Sequence, residues 1–112
     1  MSPITTHILD MQLGQPAAGI AVKLEMFQNG QWRQLNHGVT DKNGRVRDLL
    51  PAGSVDEGIY QLTFNSGSYF ADRGTATFYP KVAVIFEIQD RNQHYHVPLL
   101  LSPFGYSTYR GS

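Results

Sequence analysis

Apolar side chains recur at every second position in several short stretches of the chain. Ile20, Val22, Leu24 and Met26 share one parity, with Lys23 and Glu25 between them, which is the period of a strand that lays one face on a core. Gln28-Asn29-Gly30-Gln31 then predicts a hairpin, because Asn-Gly accepts the positive φ angles of a tight two-residue turn. The return strand runs through Trp32, Leu35 and Val39. Thr40-Asp41-Lys42-Asn43-Gly44 reads as a second turn, and Arg45-Val46-Arg47-Asp48 as a short strand before a loop with Pro51, Gly53 and Gly58. Alternation resumes over Ile59 to Phe64 and breaks at Asn65-Ser66-Gly67-Ser68, after which Ser68 would cap one short helical turn over Tyr69 to Arg73. It returns at Val82, Val84, Phe86 and Ile88. The run from His94 to Leu101, a Ser102-Pro103-Phe104-Gly105 turn and a last segment from Tyr106 to Arg110 complete the pattern.

With Thr5 to Leu9 at the start, these segments make about eight short strands separated by turns, the signature of an all-β antiparallel sandwich. No long helical period competes, and no repeat or linker divides the chain, so one domain over residues 1–112 is expected.

Composition narrows the function more than the fold. An apolar fraction of 41% supports one compact core, while nine Lys plus Arg balance nine Asp plus Glu, leaving no net field toward nucleic acid or anionic membrane. No stretch approaches the ~20 apolar residues of a membrane span, and Met1-Ser2-Pro3-Ile4-Thr5 lacks a basic segment leading into an apolar one, so a soluble, unexported, cytoplasmic protein is expected. The absence of cysteine removes disulfides, thiolate catalysis and Cys-ligated zinc, which leaves four histidines as candidate chemistry.

Each candidate has a plain structural reading. A strand histidine such as His7, among Ile4, Ile8 and Leu9, is commonly a hydrogen-bonded or edge residue. His94 and His96 flank Tyr95 and should face the same way; with His7 they could hold a metal, although no acidic ligand has a matching position. His37 has no partner nearby and reads as a surface residue. Arg45, after the Asn43-Gly44 turn, is ordinarily solvated or paired with Asp41 or Asp48. The tail Tyr106-Ser107-Thr108-Tyr109-Arg110-Gly111-Ser112 follows an apolar strand and is rich in aromatic and hydroxyl groups, which suits an ordered end.

The two ends carry a family resemblance. Thr6-His7-Ile8-Leu9-Asp10 opens the chain, and His94-Tyr95-His96-Val97-Pro98-Leu99-Leu100-Leu101-Ser102-Pro103 leads to the Tyr109-Arg110-Gly111-Ser112 terminus. Between them lie Gly14-Gln15-Pro16-Ala17, the Thr40 to Arg45 segment and Tyr79-Pro80. This pattern resembles the 5-hydroxyisourate hydrolases of the transthyretin-like family over essentially the whole chain. The Tyr-Arg-Gly-Ser end is its most specific part, because it separates the hydrolases from transthyretin, a hormone carrier of the same fold.

The resemblance implies a transthyretin-like sandwich of two four-stranded sheets with one short helix after the fifth strand. It implies a homotetramer, a dimer of dimers, with the site in a channel at the dimer–dimer interface. In that fold the fourth, first, seventh and eighth strands are neighbours, which would set Arg45, His7, His96 and the final tetrapeptide side by side. The family's catalysts carry over to His7, Arg45 and His96, with Tyr109 and Ser112 helping to form the pocket; His94 and Arg47 are not among them. Neither cofactor nor metal is implied. The implied substrate is the small molecule 5-hydroxyisourate, opened to 2-oxo-4-hydroxy-4-carboxy-5-ureidoimidazoline in urate breakdown.

That chemistry suits these residue types. Water must lose a proton while a ring carbonyl oxygen gains charge, and an imidazole with an unperturbed pKa of ~6.5 is available as the neutral base. A neighbouring guanidinium holds the imidazole neutral and donates to the substrate oxygens. His7 or His96 would activate the water, the other would position substrate or return the proton, and Arg45 would bind the anionic ring. The competing readings are a transthyretin-like carrier of small ligands without catalysis, a metal-dependent hydrolase using His7, His94 and His96, and a structural sandwich with no chemistry.

Overall fold

The computed structural model describes residues 2–53 and 55–112. Eight strands and one helix follow in order: β1 (Ile4–Asp10), β2 (Gln15–Pro16), β3 (Ala21–Gln28), β4 (Gln31–Val39), β5 (Gly58–Phe64), α1 (Ser66–Asp72), β6 (Val82–Ile88), β7 (Tyr95–Ser102) and β8 (Gly105–Thr108). They form two four-stranded sheets, ordered β2-β1-β7-β8 and β4-β3-β5-β6. The alternating residues face each other across the sandwich: Ile4 and Ile8 of β1, Leu99 and Leu101 of β7, Val22 and Leu24 of β3, Leu62 and Phe64 of β5, and Val82 and Ile88 of β6 are all buried in one cluster.

Burial alternates along β1 and β6 as a period of two requires. The β3–β4 hairpin turns at Asn29 and Gly30, whose φ angles of 52° and 77° are the left-handed pair that Asn-Gly supplies. On β4 the period slips, because the register shifts opposite Leu24 and Glu25 and Leu35 is left as the extra residue of a bulge. Leu35 still packs partly against the core, whereas Val39 ends 61% exposed.

Three local expectations are corrected. The sandwich is not wholly antiparallel: β1 and β7 pair in parallel, from Ile4↔Tyr95 to Asp10↔Leu101. Nearly the whole chain separates these strands, so no hairpin forces them to run in opposite directions. The strand expected over Arg45 to Asp48 is reduced to a single bridge, His7↔Arg45; Asp48 has φ of 56°, which ends extended backbone there. The helix starts earlier than Tyr69, at Ser66, and Asn65 rather than Ser68 caps it, its side-chain oxygen accepting from the Ser68 N–H. No helix among the described residues is long and apolar enough to cross a membrane.

Candidate functional site

The inward residues of β1 are Ile4, Thr6, Ile8 and Asp10, so Thr5, His7 and Leu9 stand on the outer face of their sheet. Parallel pairing sets Thr5 against His96 and His7 against Pro98. Directly paired residues point to the same side, which places the His7 and His96 side chains on that outer face together.

On the other side of β1 the chain returns through the turn ending at Arg45. The Ile8 N–H donates to the Gly44 carbonyl at 2.8 Å, and Arg45 bridges His7. The turn is built by Asp41, whose Oδ1 accepts the backbone N–H groups of Asn43 and Arg45 at 2.9 and 3.1 Å. Those bonds to the backbone of Arg45 and Asn43 hold the Asp41 carboxyl below the usual carboxylate range. Gly44 has φ of 76°, and a Cβ there would collide with the Ile8 carbonyl oxygen and meet Cδ2 of His7 at 3.3 Å, so only glycine lets the turn approach β1 this closely.

On the far side of β7 the tail folds back. The Gly111 N–H donates to the His96 carbonyl at 2.8 Å, forming a second single bridge. Arg110 secures this end: its guanidinium lies 4.5 Å from the centre of the Tyr95 ring and donates to Oε1 of Gln93 at 2.7 Å. Arg45, His7, His96 and the tail therefore occupy four successive rows of one surface. Tyr109, 57% exposed, shares with His96 a cleft of about 300 Å³ walled by Val84 and Phe86. Ser112 is exposed immediately after Gly111. Arg45 borders a separate hollow with Thr5 and Thr6.

Electrostatics joins the three basic groups. Burial first, and the Arg45 charge second, push the His7 pKa down, against an opposing hydrogen bond to the Asn43 backbone. Burial likewise lowers the His96 pKa, followed by Arg45, His94 and His7. Both imidazoles are thus biased toward the neutral form, in which one ring nitrogen keeps a lone pair. Arg45 is exposed and forms no ion pair with Asp41 or Asp48 among the described residues, the solvated alternative of the two expected for its position. Its guanidinium is exposed, with the nearby Asp41 carboxylate feeling its charge, and is open to an anion.

The residues that sequence reading overlooked are the ones that hold this arrangement. Thr5 carries a hydroxyl 2.8 Å from Nδ1 of His96 and 3.0 Å from Nε2 of His94. Its visible signal was parity with His7. Gly44 and Gly111 are glycines at close approaches, which spacing alone does not reveal. His37 is exposed on β4, in the other sheet, with its backbone N–H donating to Asn36 Oδ1. His7, His94 and His96 do not form a metal-holding group, and no cluster of three such ligands occurs among the described residues.

Comparison with known proteins gives a consistent set of neighbours. The HIUase/Transthyretin family model matches residues 4–111. A 5-hydroxyisourate hydrolase of Salmonella typhimurium is 49% identical over 109 residues, covering 97% of this chain and 80% of its own length. The structure of Klebsiella pneumoniae 5-hydroxyisourate hydrolase is similar with a TM-score of 0.84 and 38% identity, covering 97% of this chain and 98% of the other. Sea bream transthyretin in complex with thyroxine superposes with a TM-score of 0.92 at 32% identity, over 97% and 94% of the two chains. Backbone shape favours the carrier and residue identity the hydrolases; shape is shared by both branches, so identity is the discriminating measure.

Proposed function

The chain belongs to the HIUase/Transthyretin family, and from that premise we propose that it is a 5-hydroxyisourate hydrolase of urate degradation rather than a ligand carrier. The observation that carries this reading is the outer-face row of Arg45, His7 and His96, with both imidazoles biased toward neutrality and the guanidinium unpaired. A carrier of apolar ligands has no use for a cation that depresses two neighbouring histidines. A hydrolase of an anionic, carbonyl-rich ring does.

In this reading Arg45 binds the anionic ring and donates to the carbonyl oxygen as it gains charge. One of His7 and His96 takes a proton from water as its oxygen bonds to the ring carbonyl carbon. The other positions the substrate or returns a proton to the ring nitrogen as the C–N bond opens to a carboxylate. Tyr109 walls the pocket beside His96, and Ser112 closes its end. Positioned proton transfer contributes on the order of 10²–10⁴-fold, and a preorganised donor about 10²–10³-fold.

The site is a surface on one chain, and assembly would turn it into a channel. We assign the protein to a homotetramer, a dimer of dimers, with this face at the dimer–dimer interface. Four strands, β2, β4, β6 and β8, are sheet edges, and a second copy covering such edges removes an aggregation liability.

The deciding experiment generates 5-hydroxyisourate by enzymatic oxidation of urate and follows its ultraviolet decay. Decay faster than the spontaneous rate with wild-type protein, and not with His7→Ala, Arg45→Ala or His96→Ala, is the expected result. Decay at the spontaneous rate, together with tight thyroxine binding, would establish the carrier reading instead.

A further inference from the structure

A single hydroxyl lies between two imidazoles at the edge of the site. Thr5 Oγ1 is 2.8 Å from Nδ1 of His96 and 3.0 Å from Nε2 of His94, and the two rings are nearly parallel, 15° apart in plane with centroids separated by 6.5 Å. A threonine hydroxyl has one proton to give and two lone pairs. With both imidazoles neutral it satisfies both contacts by donating to one ring and accepting from the other. Two patterns meet that condition, and they leave His96 in opposite tautomers.

The working role of His96 separates them: a ring that takes a proton at Nε2 must carry its own proton on Nδ1. The hydroxyl then accepts from Nδ1–H of His96 and points its own proton at Nε2 of His94.

We propose that Thr5 and His94 are positioning residues that fix His96 as its Nδ1–H tautomer, leaving the Nε2 lone pair free for proton transfer. The inference rests on the reading of His96 as a working group. His94 acts on the tautomer through Thr5: by taking the hydroxyl proton it keeps that proton away from His96 Nδ1. The geometry is fixed by the strands, since Thr5 and His96 are register partners in the parallel β1–β7 pair. Among the described residues Nε2 of His96 has no hydrogen-bond partner, as a nitrogen reserved for substrate or water requires.

The test uses the full protein labelled with ¹⁵N-histidine, together with turnover of 5-hydroxyisourate. Wild type should show His96 protonated at Nδ1. In Thr5→Val and His94→Ala, the ¹⁵N shifts of His96 should move toward the Nε2–H form. The kcat of both should fall about tenfold, a fraction of the on-the-order-of 10²–10⁴ that a positioned imidazole supplies, with KM nearly unchanged. Thr5→Ser, which keeps the hydroxyl, should restore both readouts. Should Thr5→Val fold poorly, exposed His94→Ala carries the test by itself. An Nε2–H tautomer in wild type, or wild-type kcat in His94→Ala, overturns the proposal. His96→Ala at the wild-type rate would instead remove His96 from the mechanism, and the spectra would still decide the tautomer.

Discussion

A Cβ placed on Gly111 would stand 2.6 Å from Cδ2 of His96 and 3.3 Å from Cγ of both His96 and Pro98. The tail and the imidazole are therefore in contact at the limit that a glycine allows, and the Gly111 N–H is bonded to the backbone of the same histidine. A methyl group there must turn the ring or lift the tail. Gly111→Ala should lower kcat/KM by about ten- to a hundredfold, the scale of a misplacement of ~1 Å in a positioned group. Its circular dichroism spectrum should match wild type, since the tail adds little to the core. Wild-type turnover in this variant would mean that the tail does not set the ring.

Arg45 has a second measurable effect, through charge. It lowers the pKa of both His7 and His96. A base is active while neutral, so a lowered pKa extends activity toward acid, and activity is lost as pH falls through it. Arg45→Gln should raise both histidine pKa values and move the acid limb of kcat/KM to higher pH, besides weakening substrate binding. Proton NMR titration of the two rings gives the shift directly. The sign is the same for stability: a depressed histidine pKa contributes above its unfolded value of ~6.5 and the contribution fades as pH falls.

The sequence-level view of the site succeeded where period two was intact and failed where one residue broke it. Parity put His94 and His96 on one face of their strand, and the family resemblance set Arg45, His7, His96 and the tail side by side. Periodicity could not announce the parallel β1–β7 register, because strands far apart in the chain carry no turn to fix their direction. The strand over Arg45 to Asp48 was misread for a local reason: Val46 is apolar and buried, but Asp48 takes a left-handed conformation that composition does not display. The helix cap was misplaced by three residues because Asn65, Ser66 and Ser68 all have capping side chains. Thr5 passed unnoticed because a threonine in a strand is ordinary until its two imidazole neighbours are brought to it by folding.

Beneath the site, Asp10 is a buried carboxyl on which β1 depends. Its Oδ1 accepts the N–H groups of Gln12 and Leu13 at 2.9 and 3.0 Å, and its Oδ2 accepts the Tyr69 hydroxyl at 2.6 Å. Asp10 is 1% exposed and Tyr69 2%. Tyr69→Phe leaves Oδ2 without its donor and should cost about 1–3 kcal/mol in urea unfolding at fixed protein concentration. Burial and the Asp10 bond push the Tyr69 pKa up to about 12. That stabilisation is whole below the unfolded tyrosine pKa of ~10 and is lost as pH rises toward 12, so the difference between Tyr69→Phe and wild type should narrow in strong alkali. A constant difference across that window would place the effect in packing rather than in the hydrogen bond.

The state of assembly should control turnover as sharply as any side chain. Phe104 and Ile85 are 71% and 60% exposed, and Tyr106 and Tyr109 are 40% and 57% exposed. Ile85 of β6 and Tyr109 line the cleft of His96, while Phe104 and Tyr106 lie at the β7–β8 turn. Covering them by a second copy would exclude water from Arg45 and the two imidazoles, and charge interactions strengthen as water leaves. Specific activity should therefore fall in step with dissociation when the protein is diluted, with sedimentation and turnover measured over the same concentrations. The loss should reverse on concentration, which distinguishes it from denaturation. A monomer that turns over 5-hydroxyisourate at the full rate would show that one chain's open face is sufficient, and that neighbouring copies add stability but no part of the site.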